Sequence, residues 1–391
     1  MVKPFQFARL PKIYFKNGTL SDLPALIRLF GKSVILVTGK KSFVESERGS
    51  EILNKLNSEG ISYKHVTIDS EPSPEIIDYT VSVIGRKKVD VVVAIGGGSV
   101  LDAGKSISAM LYKTGSVIDY LEDIGTKEHP GTKVPFIAAP TTSGTGSEAT
   151  KNAVISRIGK KGFKRSLRHD NFVPDIALVD PELTINCPTS VTAASGMDCF
   201  SQLTEAFLSD KSNPYTDALA IEGLKSIRNS LEKAYNDGSD LSARTGMSFA
   251  ALTSGICLAN AGLGVVHGFA SSIGGMYRIS HGVICGTLMA AANEVNVRRL
   301  KSNPDNREAL KKYSRLGKIF LEGKRGSDDY YIDGFISCLH DLTNELHLPG
   351  LKESGVEVNI LAAICDSTDC KNNPVKLDPN DLMEILSQRF I

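Results

Sequence analysis

A parallel-sheet α/β domain followed by an all-helical domain is the fold class this sequence predicts. Three observations carry it. Short runs rich in Val and Ile alternate with amphipathic stretches through the first half. Those runs are apolar throughout, as strands are when helices cover both faces of a sheet. After Pro181 only long helical periodicities remain, so the division falls into domains 1–183 and 184–391. A chain of 391 residues is long enough to bury a core in each.

The elements follow in order. VILVT, residues 34–38, reads as a strand, and residues 45–59 place Ile52, Leu53 and Leu56 on one helical face before Gly60 stops the helix. YKHVTI, residues 63–68, is the next strand, and Ser73 with Pro74 announces the following helix as N-cap and first helical residue. VVVAI (91–95), PFIAA (135–139) and IALVD (176–180) complete a β-α-β-α-β succession. Helical patterns then cover residues 191–209, 214–235 and 243–261, a Gly-rich segment reaching residue 296, and a C-terminal region rich in Leu and Ile.

Composition narrows the partners. Lys and Arg number 45 against 44 Asp and Glu, so a net charge of +1 offers no polyelectrolyte surface for nucleic acid or an anionic membrane. Small molecules are the expected ligands. Seven cysteines, none in a C-x-x-C pair, and no apolar signal segment point to free thiols in a reducing cytoplasm. Residues 245–277 carry no Lys, Arg, Asp or Glu, yet Asn260, His267 and seven glycines suit a packed core better than lipid.

Two loops carry phosphate-binding character. In VDVVVAIGGGSVLDAGKS, Gly96, Gly97, Gly98 and Ser99 lie between a buried strand and a helix starting near Val100. There backbone can approach a phosphate at the positive end of a helix, whereas a purely structural turn would need the glycines for positive φ. Residues 99–106 imitate the ATP phosphate loop, but Ser99 replaces its first glycine and Asp102 would face the phosphates. PTTSGTGSEAT, residues 140–150, adds hydroxyls and amides suited to a pyrophosphate or a nicotinamide amide.

A metal-type constellation follows. Asp198 and Gln202 are four residues apart on one helical face, and His267 and His281 come later, with Gly274 and Gly275 expected to turn the chain between them. One carboxylate and two imidazoles suit zinc or iron(II) with a position open for substrate.

GGGSVLDAGK, PTTSGTGSEAT, GMD-x-x-x-Q and HGFA…SHG, in this order, resemble the iron-containing (group III) alcohol dehydrogenase family across nearly the whole chain. The resemblance implies a dinucleotide-binding α/β domain, a helical domain in a dehydroquinate-synthase-like architecture, and a divalent metal, iron(II) or zinc, assisting hydride transfer between a small alcohol and its aldehyde or ketone. It assigns Gly97, Gly98, Ser99, Asp102, Thr141, Thr142 and Lys164 to the cofactor and Asp198, His267 and His281 to the metal. Asp102, His267 and His281 are the catalytic candidates, and a homodimer or higher homo-oligomer is expected. Two departures stand out. Gln202 occupies the place of a usual histidine ligand, which predicts weaker metal binding through an amide oxygen. Ser271 stands where many members carry a histidine thought to relay the alcohol proton. After the strand at 34–38, Gly39-Lys40-Lys41-Ser42 replaces the acidic residue that NAD-preferring members carry, so NADP is favoured over NAD, with Gly39 and Lys40 at the 2′-phosphate.

Two rivals remain at this stage: an NAD- and zinc-dependent lyase or cyclase of the dehydroquinate-synthase type, and a metal-free dinucleotide sensor or reductase. Lys151, Arg165, Arg168 and Arg278 keep an acidic substrate open. No cysteine is expected to act in catalysis, and Cys199, Cys257 and Cys285 read as small buried hydrophobes.

Overall fold

The computed structural model describes residues 4–85, 87–159, 162–303 and 307–391. The chain divides into two compact units, one of residues 8–157 and 164–187, the other of the described parts of 1–7 and 158–163 together with 188–391.

The first unit is built on a six-stranded sheet, and every pairing in it is parallel. Its strands are β1 (Lys12–Phe15), β2 (Ser33–Gly39), β3 (Ser62–Ile68), β4 (Val91–Gly96), β5 (Phe136–Pro140) and β8 (Ile176–Val179), in spatial order β1-β8-β5-β4-β2-β3. Helices α1 (Leu23–Arg28), α2 (Glu47–Ser58), α3 (Pro74–Ile84) and α4 (Gly98–Met110) intervene. All six residues of β4 are buried, which is why it reads as a continuous apolar run. The Ser73 hydroxyl accepts from the Ile76 amide and Pro74 opens α3.

Chain order fixes where a ligand can enter. From β2 the chain steps outward to β3, then returns past β2 to β4 and continues the other way to β5. The reversal lies between β2 and β4, paired directly from Val34↔Val91 to Thr38↔Ile95, so Gly39 and Gly96 end adjacent strands at the switch point.

Three strands escape the sequence pattern. β1 is a four-residue edge strand behind Pro11, half exposed, so it shows no apolar run. β6 (Asn152–Arg157) and β7 (Phe163–Arg168) form a separate two-stranded sheet, and three basic side chains in β7 hide its pattern.

The second unit is helical: α5 (Thr189–Leu208), α6 (Pro214–Asn236), α7 (Leu241–Ala261), α8 (Val265–Met276), α9 (His281–Lys301), α10 (Arg307–Phe320), α11 (Asp328–Glu345), α12 (Leu361–Ser367) and α13 (Pro379–Gln388). One core gathers Phe200, Leu203, Leu224, Met247, Tyr313 and Phe335, and another joins Phe269, Ile273, Leu288, Ile364 and Ile385. Phe5 and Phe7 set their rings edge-on to Tyr215, 5.4 and 5.9 Å between centroids, which holds residues 5–7 on this unit. Among the described residues no single helix is long and apolar enough to cross a membrane; the uncharged stretch is divided between α7 and α8, which meet at 97°.

Candidate active site and metal centre

The glycine turn is shaped by crowding rather than by unusual dihedrals. None of Gly96, Gly97 and Gly98 has positive φ, contrary to the structural alternative for this turn. A Cβ on Gly98 would lie 2.6 Å from Thr145 Cγ2, so a side chain there collides with the hydroxyl loop. At Gly97, the N-cap of α4, the nearest atom would be Thr142 Oγ1 at 3.4 Å. α4 begins at Gly98 rather than Val100, no side chain caps it, and Ser99 lies in its first turn. The Thr141 amide donates to the Gly96 carbonyl at 3.0 Å, fastening the two loops together. Gly39 ends β2 with Lys40 exposed beside it.

Two sequence candidates are engaged elsewhere. The Asp102 carboxylate accepts from Ser147 Oγ at 2.6 Å and the Val154 amide at 3.0 Å, tying α4 to the hydroxyl loop and β6. Burial raises its pKa against the opposing pull of Lys105, Ser147 and Val154. Lys164 donates to Glu71 Oε1 at 2.6 Å and is almost fully buried. Sequence reasoning missed Lys105. Its ammonium is buried and donates to oxygens of Ser147, Thr150 and Asn152 at 2.8–3.1 Å, so it braces residues 147–152. Burial lowers its pKa to about 8, and burial also pushes neighbouring Glu148 up to about 7. Of the cations that left an acidic substrate open, Lys151, Arg165 and Arg168 pair with Asp170, Asp123 and Glu122.

The metal-type residues converge within the helical unit. Asp198 comes from the middle of α5, His267 from the first turn of α8 and His281 from the first residue of α9. Asp198 Oδ1 lies 3.3 Å from His267 Nε2 and 3.6 Å from His281 Nε2. Gly274 and Gly275 do not turn the chain, being helical within α8; the break falls between Met276 and His281. Gly282 permits the approach, since a Cβ there would lie 2.2 Å from the Ala194 carbonyl oxygen on α5. Asp198 is 2% and His267 3% exposed, so both are screened from bulk water.

Three neighbours complete the centre, two of them unforeseen. Glu205, seven residues after Asp198 on α5, bonds to His267 Nδ1 at 2.6 Å and accepts from the Val266 amide at 2.7 Å. A carboxylate on Nδ1 holds the ring with Nε2 facing Asp198 and His281, the arrangement found behind metal-ligating histidines. Its signal was the i, i+4, i+7 row Asp198, Gln202, Glu205. Cys285 is fully buried with Sγ 3.7 Å from both Nε2 atoms, so it sits inside the centre rather than serving only as core filling. Gln202 is turned aside: its amide oxygen accepts from Ser254 at 2.9 Å and its nitrogen donates to Asp198 at 3.4 Å.

The donor set fits a divalent cation: a buried carboxylate, two imidazoles and a thiol whose ligand atoms all lie within 4.8 Å of one another. Burial opposes the Asp198 carboxylate, but His281 and His267 outweigh it and hold its pKa below the usual value. Burial likewise opposes the His267 imidazolium, and Cys285, Asp198 and Glu205 overcome it, raising that pKa well above its ordinary value. Burial pushes the Cys285 thiol up to about 11. Ser271 Oγ donates to the His267 carbonyl at 2.9 Å, and Lys371 Nζ reaches the same carbonyl at 3.3 Å.

Family profiles match both units: "Iron-containing alcohol dehydrogenase" over residues 11–181 and "Fe-containing alcohol dehydrogenase family, C-terminal" over residues 192–390. This chain belongs to the iron-containing alcohol dehydrogenase family. An NADPH-dependent butanol dehydrogenase of Clostridium saccharobutylicum is 29% identical over 96% of this chain and 96% of its own. An NAD-dependent methanol dehydrogenase of Bacillus methanolicus is 32% identical over 70% of this chain and 71% of its own. The crystal structure of a 1,3-propanediol oxidoreductase superimposes with a TM-score of 0.87 at 27% identity, covering 99% of this chain and 100% of that one. As an iron-containing-type alcohol dehydrogenase, this chain is an oxidoreductase of the alcohol/aldehyde class, in a family that uses NAD(P) and iron or another divalent metal.

Proposed function

We propose that this chain is an NADPH-preferring aldehyde reductase and alcohol dehydrogenase whose metal is held by Asp198, His267 and His281. The observation that carries the reading is the convergence of buried Asp198 and His267 with partly exposed His281, with Glu205 fixed behind His267. When bound, the metal supplies a Lewis acid at the alcohol or carbonyl oxygen and the nicotinamide carries the hydride. Asp198 brings the negative charge that offsets a cation, and Glu205 keeps the His267 Nε2 lone pair directed inward. In the α/β unit, Gly97, Gly98 and Ser99 offer backbone amides at the start of α4 to the pyrophosphate, and Thr141 and Thr142 border them. Gly39 and Lys40 receive the adenosine 2′-phosphate, one by removing a side chain and the other by its charge. Asp102 acts by holding the hydroxyl loop to α4 and β6, while Lys164 is taken up by Glu71.

The test is turnover of short aldehydes with NADPH and NADH, run on chelator-treated protein and again after adding iron(II) or zinc, with elemental analysis alongside. Activity restored by metal and higher kcat/KM with NADPH is expected. Full activity in metal-free protein overturns the metal reading, and a higher kcat/KM with NADH overturns the cofactor preference.

A further inference from the structure

We propose that Cys285 is a fourth protein ligand of the catalytic ion, completing a carboxylate, two-imidazole and thiolate set that suits zinc, to which the substrate oxygen would add as a fifth ligand. The inference rests on the reading that Asp198, His267 and His281 hold the metal, and it adds a donor that neither the sequence reading nor the family resemblance supplies.

The geometry carries it. Asp198 Oδ1 lies 3.3 and 3.6 Å from the two Nε2 atoms, and Cys285 Sγ lies 3.7 Å from each of the same two atoms. A tetrahedral ion with nitrogen and oxygen donors at about 2.0–2.1 Å and sulfur at about 2.3 Å has N–O edges of about 3.3–3.4 Å and N–S edges of about 3.5–3.6 Å. The four measured separations are those edges to within a few tenths of an ångström. The same sulfur therefore faces both imidazole nitrogens that face the carboxylate. Position 285 is also four residues beyond His281 on α9, which stacks Sγ over the imidazole on one helical face.

Gln202 here presents its amide oxygen to Ser254 and its N–H to Asp198, whereas Cys285 faces both imidazoles. On coordination the Cys285 S–H bond breaks, its proton leaves to solvent, and the sulfur lone pair forms the bond to the ion. Replacing a nitrogen or oxygen donor with thiolate softens the site and moves its preference toward zinc over magnesium or manganese.

Cobalt(II) substitution tests this without reference to turnover. Chelator-treated wild-type protein reloaded with one equivalent of cobalt(II) is expected to show an intense sulfur-to-cobalt charge-transfer band in the near ultraviolet, which Cys285→Ser abolishes while still binding cobalt. X-ray absorption of the zinc form is expected to show one sulfur at about 2.3 Å. Zinc affinity in Cys285→Ser should fall by more than the about 10–100-fold that loss of an outer-shell partner costs. Bound cobalt with no charge-transfer band, and zinc with only nitrogen and oxygen neighbours, overturns the cysteine while leaving the three-residue site standing. Failure of the wild type to bind either ion overturns both. Because the wild-type spectra decide the question, a variant that does not fold leaves the test intact.

Discussion

At the scale of single residues, the site depends on groups that are not themselves donors. Glu205 holds His267 by Nδ1 at 2.6 Å, so in the proposed metal site a change there would alter how the imidazole is presented to the ion. Glu205→Gln should fold normally yet lose about 10–100-fold in metal affinity, read by competition with a chromophoric chelator. An unchanged affinity would show that the carboxylate has no orienting role. Gly39 offers a cleaner substitution, because a Cβ there meets only Ser42 Oγ at 3.7 Å and Val100 Cγ2 at 3.9 Å. Gly39→Asp should therefore be accommodated, and its charge should repel a 2′-phosphate. The ratio of kcat/KM with NADPH to that with NADH is expected to drop at least about tenfold, roughly 1.4 kcal/mol.

At the scale of elements, the loop of residues 140–150 owes its shape to α4. The Lys105 ammonium gathers oxygens from Ser147, Thr150 and Asn152, and Asp102 on the same helix takes Ser147 Oγ and the β6 amide of Val154. Lys105→Met retains the stem but strips the donor from several buried acceptors. We expect it to destabilise the protein by about 3 kcal/mol in denaturant unfolding and to weaken NADPH binding, leaving metal affinity in the helical unit unchanged. Equal losses of cofactor and metal would mean that the helix does more than brace this loop. The elements were legible from sequence wherever burial is two-sided or amphipathic, as in β4 and α3. They were not legible in β1, β6 and β7, whose short, charge-bearing runs are specified by the partners they pair with.

At the scale of the whole molecule, buried titratable groups set how stability responds to pH. His129 accepts from the Gly131 amide through Nδ1 and bonds to the Ala109 carbonyl through Nε2, which fixes a neutral ring between Tyr120 and Phe172. Burial is the main cause that lowers its pKa from 6.5 to about 4. The sign follows from linkage: below 6.5 the unfolded chain takes up a proton that the folded ring refuses, so the unfolded state gains and stability falls. The contribution is whole above that value and is lost as pH falls toward 4, an effect on the order of 2 kcal/mol. His129→Gln, which cannot titrate, should flatten this part of the stability profile measured by denaturant unfolding. A profile of unchanged slope would place the titration elsewhere.

The sequence by itself determined the class of architecture, the glycine and hydroxyl loops, and three of the residues that converge at the proposed metal site, because each is written in local pattern: apolar runs, caps, and donors with characteristic neighbours. Gly39 and Gly96 end adjacent strands, a placement that depends on strand order that the βαβ succession restricts. Only the tertiary structure decided which atoms face one another. Gln202 and Cys285 lie on different helices, and nothing in either neighbourhood tells that the amide turns to Ser254 while the thiol turns to two imidazoles. Lys105 carries no local signal of its role, because the oxygens that surround its ammonium lie more than 40 positions away in the chain. Orientation of this kind is set by long-range packing, where each side chain takes the hydrogen bonds that its buried neighbours leave available.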